Sequence, residues 1–343
     1  AVFNSNDSIY DYTLSTGFDV STASFVDSLS VSSKETELRG VAFSADGTKM
    51  FVIGDASDNV HEYALSTGFD ISTASFTQSF SVAGQETDPQ DVAFSTDGTK
   101  MFIIGRTGDD VNEYTLSTGF DVSTASFVDS FSFSAQESNP QGIAFNTNGT
   151  KMFIVGFTGD DVNEYTLSTG FDVSTASFID SFSVATQDSA PSGIAFNTNG
   201  TKMFVTGQSS EAVNEYNVGT QAAATGYQPT ISSNSVLDNT EGKRDIVRNN
   251  AGTWQYNSNA TYTSETWTNA TTNTEVAALR ESMEGAEGGA DLANAVFSKS
   301  FSVASQDSNP AGVVFNTTGT KMFVVGGSSP DSVYEYTLST AFD

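Results

Sequence analysis

At 343 residues, with 37% hydrophobic and 12% aromatic residues, the chain carries enough apolar material for a folded core and is not a disordered polymer. Its 42 acidic against 13 basic residues give a net charge of −29, a field that repels phosphate backbones and anionic lipid, so nucleic-acid binding is excluded. With no cysteine there are no disulfides, thiolate chemistry or cysteine metal sites, and no apolar run reaches the ~18 residues of a membrane-spanning helix.

The chain opens inside repeat-like sequence, so Ala1 is expected to begin a processed or trimmed product. Residues 9–14 and 25–31 read as the third and fourth strands of a unit. The unit then recurs. GVAF at Gly40 is followed by DVAF at Asp91, GIAF at Gly142 and Gly193, and GVVF at Gly312, with offsets of 51, 51, 51 and 119. GTKMF begins at Gly47, Gly98, Gly149, Gly200 and Gly319, and an EY pair at Glu62, Glu113, Glu164, Glu215 and Glu335, with Asp11-Tyr12 as an earlier copy. A 51-residue repeat, interrupted once by 68 or 69 extra residues, is the dominant signal.

The copy that begins at Pro140 shows the strands of one unit. Residues 142–145 are a short apolar run, and Asn148-Gly149 is a hairpin pair that tolerates positive φ. Residues 152–155 are continuously apolar and should be buried on both faces. After Gly159-Asp160-Asp161, residues 162–167 alternate as a strand with unlike faces, and residues 178–184 alternate more raggedly, as an outer strand does. Residues 219–295 break the period. Residues 245–247, 253–256 and 261–268 read as short strands, and residues 272–283 as a helix, with Thr272 and Glu275 at capping-box spacing. Residues 312–338 supply a last first, second and third strand.

Four antiparallel strands in each unit, the inner pair most apolar, is the pattern of a propeller blade, which hides its faces only by stacking on its neighbours. The expected fold is all-β: a β-propeller of five or six four-stranded blades with one α/β insertion. Residues 1–218 are blades, 219–295 the insertion and 296–343 the final propeller strands.

Pro140-Gln141-Gly142-Ile143-Ala144-Phe145 through Phe153 resembles the inner-strand phrase of NHL and lactonase-like propeller repeats, which implies the fold and leaves function open. Residues 238–247, 252–258 and 265–279 are similar to segments of structural proteins of marine bacteriophages, and residues 114–127 to repeats of phage and marine bacterial proteins. That resemblance implies a virion surface or tail-fibre component and brings no catalytic residues with it.

Candidate site residues are of four kinds. In the insertion, Trp254, Tyr256, Trp267, Arg244 and Arg248 are the residue types that anchor interfaces, although the tryptophans could equally form the insertion's own small core. Asp109, Asp110, Asp160 and Asp161, in the loops between second and third strands, could offer oxygen ligands to Ca²⁺, or serve as solvated turns. Lys49, Lys100, Lys151, Lys202 and Lys321 of GTKMF are expected to pair with the glutamate of the EY pair. The single histidine, His61, stands where other copies carry Tyr or Asn and is expected at the surface.

The expected protein is therefore a non-enzymatic structural or recognition protein on a virion or in the extracellular space. Its expected partners are a host glycan or protein, other virion or surface subunits, or a second copy of itself, with Ca²⁺ the one cofactor considered. The alternatives are a secreted bacterial adhesion or matrix protein and a lactonase-like or glycan-cleaving enzyme. Non-repeated acids converging in a deep central pocket would favour the enzyme.

Overall fold

The computed structural model describes residues 7–218, 235–237, 244–250, 253–260, 268–269, 292, 295–304 and 309–326. Strands β1 (Ser8–Leu14) and β2 (Ala23–Ser30) come first. Blade 1 is β3 (Leu38–Phe43), β4 (Lys49–Gly54), β5 (Asn59–Leu65) and β6 (Ala74–Ser81). Blade 2 is β7 (Pro89–Phe94), β8 (Lys100–Gly105), β9 (Asp110–Leu116) and β10 (Ala125–Ser132). Blade 3 is β11 (Pro140–Phe145), β12 (Lys151–Gly156), β13 (Asp161–Leu167) and β14 (Ala176–Ser183). Blade 4 is β15 (Pro191–Phe196), β16 (Lys202–Gly207) and β17 (Ala212–Asn217), completed across the insertion by β22 (Val296–Ser302). Blade 5 takes β23 (Pro310–Phe315) and β24 (Lys321–Gly326) from one end of the chain and β1 and β2 from the other.

The count is thus five blades, and β1 occupies the third-strand position of the closing blade, antiparallel to β24. The additional third strand expected near residue 338 lies outside the described residues. Closure is read from one repeated contact. The second-strand Phe of each blade packs on the inner-strand Phe of the next: Phe51 on Phe94 (4.4 Å between ring centroids), Phe102 on Phe145 (4.4 Å), Phe153 on Phe196 (4.5 Å), Phe204 on Phe315 (4.4 Å) and Phe323 on Phe43 (4.6 Å). Five joints of one kind return to the start. Each tilted pair is worth about 0.5–1.5 kcal/mol beyond the area it buries. The second strands, apolar on both faces, are wholly buried, as the continuous run at Met152 to Val155 requires.

The GTKMF glycine has two duties. Gly149 sits at φ +71°, and a Cβ on it would meet the ring of Phe171, itself at φ 59° in the connection between third and fourth strands. Hairpin and connection are thereby clamped together at one end of the blade. This end is called the hairpin face below; the loops joining strands two to three and blade to blade form the loop face.

The second compact unit spans Thr220–Glu287. It holds an antiparallel sheet ordered β18 (Ser235–Leu237), β19 (Arg244–Asn250), β20 (Thr253–Ala260) and β21 (Thr268–Asn269). The expected hairpin around Asn250-Ala251-Gly252 is β19–β20; the expected helix at 272–283 lies outside the described residues.

Candidate functional site

At the rim of the ring, every GTKMF lysine finds its carboxylate: Lys49–Glu62 (2.9 Å), Lys100–Glu113 (2.7 Å), Lys151–Glu164 (2.7 Å), Lys202–Glu215 (3.2 Å) and Lys321–Asp11 (2.7 Å). These pairs also tie blade to blade. Lys100 Nζ donates to the Phe171 carbonyl of the next blade (2.6 Å), and Glu113 accepts from Val173 N–H of that blade (3.0 Å). Where the insertion replaces the usual connection, Leu292 N–H takes the place of the valine and donates to Glu164 (3.3 Å). The lysine ring is a set of latches, with its charges already spent.

At the axis the blades stop being alike. The inner strands converge so closely at Gly40, Gly142, Gly193 and Gly312 that a Cβ on Gly142 would lie 2.9 Å from Gly193 Cα, and one on Gly193 2.6 Å from Gly312 Cα. Blade 2 alone carries a side chain there, Asp91. Its Oδ1 accepts from Val92 N–H (2.8 Å) and its Oδ2 crosses to Ile143 N–H of blade 3 (3.0 Å). The carboxyl is half-buried, with its open side on the axial well described below. Burial pushes it up to about 7 against the pull of those two N–H bonds.

The bond to Ile143 shows where the inner-strand amides point. Ile143 donates away from β12, so it occupies a pair whose backbone groups face outward. The register is the same in each blade: Val41 opposite Val52, Val92 opposite Ile103, Ile194 opposite Val205 and Val313 opposite Val324. Five amide N–H groups therefore face the axis at one level, and Asp91 engages two of them.

On the hairpin side of this floor lies a well of about 210 Å³, walled by the Val or Ile after each glycine or Asp91, the Ala or Val that follows, and four of the inner-strand phenylalanines, Phe43, Phe94, Phe196 and Phe315. It widens into a bowl of about 300 Å³ rimmed by Asn146, Thr147, Asn197, Thr198, Asn316 and Thr317. An apolar cavity with few polar groups and one perturbed carboxyl is the usual form of a small-ligand site.

The loop-face side of the axis is polar. Arg39 and Arg106 are the two arginines outside the insertion. Arg39 pairs with Glu37 (3.4 Å) and Asp55 (3.6 Å); Arg106 reaches Asp88 (3.7 Å) and donates to Gln141 Oε1 (3.0 Å). Burial raises Asp88 and lowers Arg106 from their ordinary values. The Arg106–Gln141 bond joins blades 2 and 3, while the Arg39 pairs lie within blade 1.

The predicted site residues lie elsewhere. Arg244 and Arg248 fall on β19, and Trp254 and Tyr256 on β20 opposite Asn249 and Val247; Trp267 is outside the described residues. Asp109 and Asp160 take φ of 48° and 50° at turns, where their carbonyls accept from Phe133 and Val184 N–H. Asp110 and Asp161 accept from the amides of Asn112 (2.8 Å) and Asn163 (2.9 Å), and burial raises both carboxyls. Among the described residues no three His, Asp or Glu side chains gather as a cation would require.

His61 is a correction: it is buried, 4% exposed, because the third strand lies between second and fourth strands and so hides its polar residues too. Its Nε2 lies 3.0 Å from Ser57 Oγ, which donates to Glu35 at 2.6 Å. The serine proton points at the glutamate, so the imidazole is not placed to take it, the reverse of a nucleophile–base pair. Glu35 belongs to a set that sequence reading missed. Glu35, Glu86, Glu137 and Asp188 are buried ahead of blades 1 to 4 and accept backbone N–H groups of the loop between second and third strands; their 51-residue spacing was the available signal.

By sequence, no protein family and no curated protein matches this chain. Solved structures resemble it weakly. A Bacteroides uniformis protein proposed to be a 6-phosphogluconolactonase gives a TM-score of 0.38 at 13% identity over 60% of this chain and 55% of its own. The periplasmic gluconolactonase of Pseudomonas aeruginosa gives 0.37 at 15% identity over 54% of this chain and 50% of its own. A Lactobacillus plantarum protein gives 0.41 at 11% identity, covering 97% of this chain and 98% of its own. This chain thus spans about half the length of the two lactonase-type structures.

Proposed function

We propose that the chain is a non-enzymatic recognition protein, displayed on a virion or another extracellular surface, that grips a group of its partner end-on in the axial well. The observation that carries this reading is the wall itself. Val/Ile and Ala/Val from all five blades and Phe from four surround one opening, and latches between successive blades from 1 to 5 keep its shape before a ligand arrives. A preformed cavity binds by shape without the cost of ordering its own residues. The resemblance of the insertion to phage structural segments supports the surface setting.

The test is binding of the labelled chain to bacterial cells, with Ala144→Phe, which fills the well from its wall, as comparison. Saturable binding by the parent and its loss in a variant that still unfolds cooperatively is the expected result. Equal binding by both rules out the well. A second reading, hydrolysis of a lactone or glycoside, has one observation in its favour: an acid near neutrality in a cavity. Turnover of such substrates that disappears in Asp91→Asn would establish that reading instead.

A further inference from the structure

The floor of the axial well presents two chemistries at once. Val41, Ile194 and Val313 direct N–H donors at the axis, by the register they share with Ile143. Beside them stands the Asp91 carboxyl, each oxygen of which accepts one backbone N–H and keeps a second lone pair. A ligand seated there must bring an acceptor for the amides and a donor for the carboxylate.

Charge narrows the choice. An anionic ligand head meets Asp91 directly and a protein of net charge −29 around it. A cationic head satisfies Asp91 but turns hydrogens toward hydrogens at three amides and leaves them buried without acceptors. A neutral secondary amide answers both: its carbonyl oxygen accepts while its N–H donates. Size and wall fit a small one. A dry cavity of about 150 Å³ takes up benzene, so the well of about 210 Å³ has room for an acetamido group with its methyl against the alanines and valines. The exposed threonines of the bowl, Thr147, Thr198 and Thr317, offer hydroxyls to a sugar ring, while the asparagines beside them are buried and hold their own hairpins.

Resting on the recognition reading above, we infer that the axial well is a seat for the N-acyl group of an amino sugar in a surface glycan, held between the inner-strand amides and Asp91. Blade 2 carries Asp where the other four carry Gly because one carboxylate, and no more, fits at the point of convergence and gives the ligand N–H its partner.

Calorimetric titration of the full chain with the methyl glycoside of N-acetylglucosamine tests this, with the glucosamine and glucose glycosides and an N-acetyl-lysine peptide as comparisons. The acetylated sugar should bind at least about tenfold tighter than either unacetylated one, the scale of a lost hydrogen bond to a charged group. Asp91→Gly, which installs the residue of the other blades, and Ala144→Phe should each weaken it at least as much. His61→Asn, outside the well, should bind as the parent does. Equal affinity for the unacetylated sugars, unchanged affinity in Asp91→Gly, or preference for the peptide each overturns the inference. Cell binding that Ala144→Phe abolishes but the acetylated sugar fails to compete leaves the recognition reading standing and removes this ligand. Sugar binding without cell binding does the opposite.

Discussion

The rim and the axis of this propeller obey opposite rules. At the rim each blade repeats a lysine–carboxylate pair, which in blades 1, 2 and 4 clasps the connection of the following blade, and a ring opens at its weakest joint, so repetition there serves stability. At the axis five strands crowd onto one spot, and a side chain from more than one blade cannot fit. Gly40, Gly142, Gly193 and Gly312 give way, and Asp91 fills the space. Departure from the repeat thus marks where the molecule differs from its own scaffold, and the charged residues of the axis, Asp91, Arg39 and Arg106, are all such departures.

Breaking a latch should have the largest effect. Glu113 is almost wholly buried, whereas Lys100 is partly open to solvent. Glu113→Ala leaves the ammonium without its carboxylate and Val173 N–H without its acceptor, which should destabilise the fold by about 2–4 kcal/mol. Denaturant unfolding followed by tryptophan-independent circular dichroism reads this directly; a loss under about 0.5 kcal/mol, the scale of an ordinary surface substitution, would mean the latches are ornamental.

Removing the axial departure should act in the other direction, and only above acid pH. The carboxyl of Asp91 titrates near 4 when unfolded and at about 7 when folded, so the folded state holds a proton the unfolded state lacks between those values. Its stabilising contribution is present below pH ~4 and lost as pH rises through ~7. Three units at about 1.36 kcal/mol each, reduced because the half-buried carboxyl opens on the well, give a relative shift of roughly 2–3 kcal/mol in favour of Asp91→Gly between pH 4 and pH 8. A stability difference between parent and variant that stays flat over that range contradicts the desolvated carboxyl.

His61 makes a smaller and opposite case. Burial lowers its folded value below the ordinary 6.5, so its contribution is present above pH 6.5 and declines as pH falls below it. His61→Asn, the residue of three other blades, should gain on the parent by about 1 kcal/mol or less from pH 7 to pH 5. Thermal melts at the two pH values measure it.

The repeat made the fold legible. The 51-residue spacing, the doubly apolar second strand and the lysine–glutamate pairing all carry straight into the blades. The blade number was not legible, because β1 and the expected strand near residue 338 compete for one position, and only pairing decides between them. His61 was misplaced because polar residues on a strand suggest solvent, whereas a third strand is covered on both edges and its polar groups bond to one another. The site was hidden in plain view. DVAF at Asp91 departs from GVAF and GIAF, yet a single exchange of Gly for Asp means little until the five strands are known to meet there.

The joint between blades 4 and 5 offers the finest test of the contrast. In blade 4, Lys299 stands on the outer strand where Asp27, Asp129 and Asp180 stand in other blades, and it reaches Asp19 of blade 5 at 2.8 Å. Burial alone would raise Asp19, but the bonds from Lys299 and Ser21 outweigh it and hold the carboxyl below its ordinary 3.8. Both partners are partly open to solvent, so Lys299→Ala should cost about 0.5–1 kcal/mol at low salt and less as salt screens the pair. A lowered carboxyl stabilises above its unfolded value and loses that as pH falls, so the difference should close below pH ~4 as Asp19 takes up its proton. A cost that neither salt nor acid removes would place the effect in the lysine's packed methylenes and not in its charge.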